Sequence, residues 1–281
     1  MSEIYQERDW EVIDYQIYHF QEADVFFRGP QPEFLKPYNY AICIGAAQTF
    51  GCYCEKPFPY LLQEKLNIPI LNWGRGGAGP YFFLKRAKLL DYINEAKFVI
   101  IQVMSGRSQG NSLYQSEGIG SYTRASDGIR ISCKKAYQEL LERYDETYVK
   151  KIVAETRVNW VKTYQEFLSK ITIPKILFWF SSRYSNYEER YKNTSSLFGK
   201  YPQLINQKMV EQIKQFSDDY IECIYPTNSP KLLINRFTGK PANIEDEKGK
   251  KTITHDYYYP TPESHIMAAN VLEKVCWKYL N

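Results

Sequence analysis

Five short apolar runs, each closed by a glycine or a polar residue, constrain this chain more than any other feature. They read "YNYAICIG", "IPILNWG", "KFVIIQVMS", "IPKILFWFSS" and "DYIECIYP". Each is too short for a buried helix and is rich in residues that suit a strand covered on both faces. Between and after them the apolar spacing changes to helical period, in "PFPYLLQEKLN", "PYFFLKRAKLLDYINEA", residues 134–170, "QLINQKMVEQIKQF" and the closing "TPESHIMAANVLEKVCWKYL". Strand alternating with helix means parallel βαβ units and a doubly wound sheet of about five strands. The chain has 281 residues, 44% of them hydrophobic, enough for one α/β domain over 38–281. Residues 1–37, punctuated by Pro30, Pro32 and Pro37, read as an irregular lead-in packed on that domain. Residues 226–256, with the charged run "EDEKGKK", read as a solvated loop.

Several function classes are disfavoured at once. A formal charge of +4 with well-mixed signs gives no reason to expect nucleic acid. The opening "MSEIYQERDWEVIDYQ" lacks the apolar core of a secretory signal, and no run is long enough for a membrane span, so a cytoplasmic protein is expected. Cys43, Cys52, Cys54, Cys133, Cys223 and Cys276 are scattered, and reduced, buried thiols are the expectation. Cys52 and Cys54 form a C-x-C with no second pair to complete a tetrahedral site, so no metal is expected, and no cofactor either. There are 25 tyrosines against 15 phenylalanines, which fits either biased codon usage or a groove for a carbohydrate-like ligand.

In doubly wound sheets ligands bind beyond the carboxyl ends of the strands. Four such ends share small, polar or basic residues: Gly45–Thr49, Asn72–Gly79, Ser105–Asn111 and Ser181–Arg183. The segment "AICIGAAQTFG" raises the sharpest question, because a nucleophile is often found where such a run breaks, and Ala47 stands there.

The order of these segments resembles the SGNH, or GDSL, hydrolase superfamily in a degenerate form. The resemblance implies a flavodoxin-like three-layer α/β/α sandwich. It sets Gly45-Ala46-Ala47 where that family has Gly-Asp-Ser, and makes Gly74 the residue whose N–H would hold an oxyanion. In "DYYYPTPESH" it sets Asp256 in the family's Asp-x-x-His frame, with Tyr259 where the histidine belongs and His265 one turn into the helix. The family's Gly-x-Asn-Asp block falls on "QVMSGRS", which has no asparagine. A serine hydrolase needs a nucleophile, a base and oxyanion donors. Ala47 has no hydroxyl, and a tyrosine of ordinary pKa about 10 is a poor base at neutral pH. The chain is also similar to a group of bacterial proteins carrying "QTFG", "GGAGP", "SGRS" and "YYPTPE", which lends it no activity.

The expectation is therefore a remodelled, non-serine site acting on or binding a small anionic or carbohydrate-like molecule. Arg75, Arg107 and Arg183 are candidates to grip an anion, or else to satisfy local carbonyls. Gln48 and Thr49 are candidates for ligand contact, Thr49 alternatively for helix capping. Ser105 and Ser108 either contact substrate or bond their own turn. Tyr259, His265 and Asp256 are the candidate proton carriers, His265 alternatively a packing or capping residue. Two other readings stand beside this one. The chain is a catalytically silent binding protein on a hydrolase scaffold, or, from a fainter similarity of "SGRSQGNS" and "SSRYS" to sulfotransferase phosphate loops, it transfers a group from a phosphosulfate donor.

Overall fold

The computed structural model describes residues 2–32, 35–227, 230–245 and 252–280. The five apolar runs are strands: β1 (Ala41–Gly45), β2 (Ile70–Gly74), β3 (Val99–Gln102), β4 (Lys175–Ser181) and β5 (Asp219–Ile224). They form one parallel sheet in the order β2-β1-β3-β4-β5, flanked by helices. That is the flavodoxin-like order. The register sets Gly45 beside Gly74 at the end of β1 and β2, and Ser181 beside Ile224 at the end of β4 and β5. Every residue of β1, β2 and β3 is buried, as unbroken apolar runs require.

The chain gathers into two compact units, residues 1–76, 95–100 and 225–281 in the first and 77–94 and 101–224 in the second. In the first, the segment read as an irregular lead-in has structure of its own. It opens with helix α1 (Ser2–Asp9) and continues into an antiparallel pair, Tyr18–Phe20 with Val25–Phe27. After β1 comes the single-turn α2 (Ala47–Phe50), then α3 (Phe58–Leu66), which starts on Pro57 and stops at Asn67 in the left-handed region. The stretch read as a loop over 226–256 contains two short pairings, Lys231–Leu232 with His255–Asp256 and Ile244–Glu245 with Thr252–Ile253. Most of the charged run, residues 246–251, lies outside the described residues. These pairings are two residues long, below what hydrophobic periodicity can register. The unit closes with α10 (Pro262–Cys276), capped by the Thr261 side chain and packed against α3.

In the second unit the pattern over 80–96 is two helices, α4 (Pro80–Leu84) and α5 (Ala87–Asn94). A three-stranded antiparallel sheet over Tyr114–Ser116, Ser121–Arg124 and Arg130–Ser132 was not expected; it follows the polar loop after β3. The long helical pattern breaks into α6 (Cys133–Arg143) and α7 (Glu146–Ser169), because Ser132 and Asp145 each cap a new start. Two further helices, α8 (Thr194–Phe198) and α9 (Gln207–Lys214), begin on Asn193 and Asn206 side-chain caps. Its core includes Tyr114, Tyr122, Tyr137, Val153, Leu197 and Phe198.

Candidate functional site

The first unit is built around the ends of β1 and β2. Gly45 releases the chain into α2, and Ala47, Gln48 and Thr49 are all buried, so none of the three faces an open pocket. Gly74 must be glycine because a Cβ there would run into the backbone of Thr49 and Phe50. The contact is fixed by Asn72. Its amide nitrogen donates to the Thr49 and Phe50 carbonyls at 3.1 and 3.3 Å, and its oxygen accepts the Gly74 N–H at 3.0 Å. The N–H expected to face an oxyanion is thus already bonded. Gln48 retains an amide oxygen that is buried with no hydrogen-bond partner.

What fills the space at this strand end comes from α1. Tyr5, Arg8 and Asp9 stand at i, i+3 and i+4, on one helix face. A Cβ on Gly76 would collide with the Tyr5 ring tip, and Tyr5 meets Phe50 edge-on at 5.4 Å. Ala47 packs in one apolar cluster with Tyr5, Tyr15, Phe50, Cys52 and Tyr53, and Tyr259 lies against it. The space beside Ala47 and Tyr259, where the resemblance sets a nucleophile and a histidine, is occupied by packed side chains. Inside it runs a polar network. Asp9, fully buried, accepts from Arg8 Nε and Nη2 at 2.6 and 2.8 Å and from the Tyr15 hydroxyl at 2.8 Å. Tyr53 bonds it as well, and the Tyr53 N–H donates back to the Tyr15 oxygen at 3.0 Å. Burial disfavours the Arg8 charge, yet pairing with Asp9 outweighs it and holds the guanidinium firmly protonated. Sequence reasoning missed this network because it read α1 as lead-in; the Tyr-x-x-Arg-Asp spacing was the available signal.

The family's histidine position fares no better for catalysis. Burial pushes the Tyr259 phenol well above its ordinary value; the neighbouring Cys52 thiol and a hydrogen bond shared with Tyr5 raise it further, with Arg8 opposing. Tyr259 therefore keeps its proton at neutral pH. Asp256 accepts the Tyr258 N–H at 2.9 Å and the Tyr259 N–H at 3.2 Å, closing a turn, and burial raises its own pKa. His265 is wholly buried. Its Nδ1 accepts the Phe58 N–H at 3.2 Å, so it caps the start of α3. Burial lowers its pKa to about 3, helped by the charges of Arg28 and Lys231. It is a neutral structural ligand of a helix end, not a proton carrier at pH 7.

Two arginines of the same unit are likewise engaged. Arg75 donates to the Phe26 carbonyl at 3.4 Å. Arg28 is buried and gives its two terminal nitrogens to the carbonyls of Phe50, Gly51, Cys54 and Glu55, at 2.7 to 2.9 Å. Burial lowers its pKa. Beside it opens a cleft of about 1140 Å³, walled by Gln16, Gln31, Tyr60, Asn67, Lys231 and Arg236 among others. Asn72, from one of the predicted strand ends, lines it with Arg28 and Pro262; none of the candidate catalytic or substrate-binding residues does.

In the second unit the strand-end residues hold up loops. Ser105 caps the short turn Gly106–Ser108 by accepting the Arg107 N–H at 3.1 Å, and Ser108 donates to the Ser105 carbonyl at 3.0 Å. Arg107 Nε donates to the buried Cys133 sulfur at 3.2 Å and its guanidinium faces Phe198. Arg183 donates to four carbonyls, those of Lys200, Tyr184, Pro202 and Ile205, and stacks on Tyr187. Burial lowers its pKa to about 10. Of the groups that a phosphosulfate loop would need, Arg183 and the Ser108 and Ser112 hydroxyls are bonded within the fold, and Arg107 Nε is bonded to Cys133. All six cysteines are free and buried. Among the described residues no group of three or more His, Cys, Asp or Glu is placed to hold a metal, and no helix is long and apolar enough to cross a membrane.

The family model described as "Domain of unknown function (DUF6473)" matches residues 2–117 and 135–276, and the chain belongs to that family. No curated protein matches it in sequence. Among solved structures it is similar to a gut microbial diltiazem-metabolizing enzyme, with 13% identity, 86% of this chain and 48% of that one covered, and a TM-score of 0.39. The chain thus spans about half the length of that enzyme. It is similar to an α/β hydrolase from the metagenome of Lake Arreo, Spain (12% identity, 88% and 98% covered, TM-score 0.41). A catalytic mutant of an acetylxylan esterase from Geobacillus stearothermophilus gives 12% identity, 88% and 96% covered, and a TM-score of 0.38. At these scores the likeness is coarse, and none of these proteins lends its chemistry to the chain.

Proposed function

We propose that this member of the DUF6473 family is a binding protein on an SGNH-like scaffold, taking a small anionic or carbohydrate-like ligand without serine-type hydrolysis. One observation carries the reading. The places that the hydrolase pattern reserves for nucleophile and base hold Ala47 and a Tyr259 that keeps its proton, and α1 packs Tyr5 against both. A water-filled pocket is needed for an ester to approach a nucleophile, and this strand end is close-packed. The ligand therefore goes to the open cleft beside Arg28, whose wall combines phenol, amide and basic groups. The other two readings need groups that are committed elsewhere: Arg183 to carbonyls, Ser105 and Ser108 to their own turn.

The test is a p-nitrophenyl acetate assay run beside calorimetric titration with small saccharides and carboxylates. Expected are no turnover above background in the protein or in its Ala47→Ser/Tyr259→His variant, and heat of binding that survives in that variant. A ligand at about 100 times its Kd adds about 2.7 kcal/mol of stability, which a thermal melt reads independently. Turnover that Tyr259→Phe abolishes would overturn the reading.

A further inference from the structure

The cleft's chemistry narrows its ligand. Four cationic side chains lie on it, and each is already engaged. Arg28 holds four carbonyls, Lys56 pairs with Glu64 at 2.9 Å, Lys231 donates to the Tyr53 carbonyl at 2.9 Å, and Arg236 donates to the Trp10 carbonyl at 2.9 Å. An anion entering here would have to displace one of these bonds. Two carboxylates, Asp14 and Glu55, also line the cleft and disfavour an anion further. Among the neutral groups, the side chains of Gln16, Gln31 and Asn67 and the Tyr60 hydroxyl make no hydrogen bond with the described residues. Each offers a donor and an acceptor, the complement that a hydroxyl needs. At the rim, the Arg236 guanidinium lies 4.0 Å from the Trp10 ring centroid and 4.5 Å from that of Phe237, the two rings tilted 49° to each other with centroids 6.3 Å apart, and both remain open to solvent, 45% and 63% exposed. The cation attracts both rings and favours this arrangement. The result is an exposed aromatic ledge of two tilted rings beside a trough of uncommitted amides.

Resting on the binding role given above, we infer that the cleft takes a neutral oligosaccharide, its sugar rings lying on the Trp10–Phe237 ledge and its hydroxyls meeting Gln16, Gln31, Tyr60 and Asn67. Charge plays no part in holding it. At about 1140 Å³ the cleft is larger than a single sugar needs and slightly exceeds the roughly 300–1,000 Å³ of sites that bury drug-sized ligands, which favours several linked units over a monosaccharide.

The experiment titrates the full chain with neutral hexamers built on hexose, N-acetylhexosamine and pentose backbones, with hexagalacturonate, and with inorganic sulfate. At least one neutral hexamer is expected to bind, with an affinity unchanged between low and high salt. Phe237→Ala is expected to weaken it about fivefold or more, from the loss of one ring contact, and Asn67→Asp/Tyr60→Phe by a similar factor. Circular dichroism melts confirm that each variant is folded; these are surface positions. Binding of hexagalacturonate or sulfate alone, or affinity that falls with salt, overturns the inference, as does silence from every neutral hexamer at millimolar concentration. An esterase activity sensitive to Tyr259→Phe would sink the non-hydrolytic reading while leaving the saccharide result standing, so the two failures are separable.

Discussion

Read as sequence, the strand ends of the two units look alike: a glycine or serine, a hydroxyl or amide, an arginine. As structure they differ in what those groups are bonded to. In the second unit the hydrogen bonds of Arg183 go to backbone carbonyls while it stacks on Tyr187, and Arg107 donates to a thiol and faces Phe198, so each cation supports local structure. In the first unit Arg75 and Arg28 also meet carbonyls, but Arg8, brought from a separate helix, is tied through Asp9 to Tyr15 and Tyr53. The lesson is that a basic residue after a strand predicts a bond to be satisfied, not a ligand. A charge network that joins distant segments holds an architecture together, whereas a guanidinium on carbonyls holds a turn.

The comparison predicts unequal costs. Asp9→Ala leaves Arg8 without its counter-charge and two phenols without an acceptor, and removing one member of such a buried pair costs about 3–5 kcal/mol. Urea unfolding should show the midpoint fall by that cost divided by the slope, with the slope itself unchanged. A loss below about 1 kcal/mol would mean that α1 is not docked as described. Arg183→Met keeps the stem on Tyr187 but strips donors from four carbonyls that solvent partly reaches. The expected cost is smaller, about 2–3 kcal/mol, with ligand binding untouched. If it matched Asp9→Ala, the distinction between network and loop support would fail.

The sheet was legible because each strand is an unbroken apolar run bounded by turn residues, and its parallel pairing follows from alternation with helices; the flavodoxin-like order was implied only by the family resemblance. The site was not. Nothing local in "SEIYQERDW" says that Tyr5 will rest on Gly76, since that contact depends on two segments seventy residues apart in the sequence. The cleft escaped for the same reason: Gln16, Gln31, Tyr60 and Asn67 belong to three separate segments with no shared motif. Gly74 was noticed for the wrong chemistry, because a glycine at a strand end has two readings, an open N–H or a close approach. Only coordinates separate them, and here it is the close approach of Phe50.

His265 gives the mildest test at neutral pH and the one that separates a structural histidine from a catalytic one. Its folded pKa, about 3, lies below the ordinary 6.5. The unfolded chain therefore binds the extra proton first. The contribution is fully present above about pH 6.5 and is lost as pH falls toward 3, with a slope of about 1.4 kcal/mol per pH unit from this one group. His265→Gln retains an acceptor for the Phe58 N–H but cannot titrate. At pH 7 the variant should lose about 1 kcal/mol, comparable to a weakened helix cap. Between pH 6 and 4 its stability should fall less steeply than the parent's by that slope, so the two curves cross. Because every carboxylate titrates in both proteins, the difference between the curves isolates the imidazole. Parallel curves would mean that His265 is not held neutral against α3, and would return it to the list of groups free to move a proton.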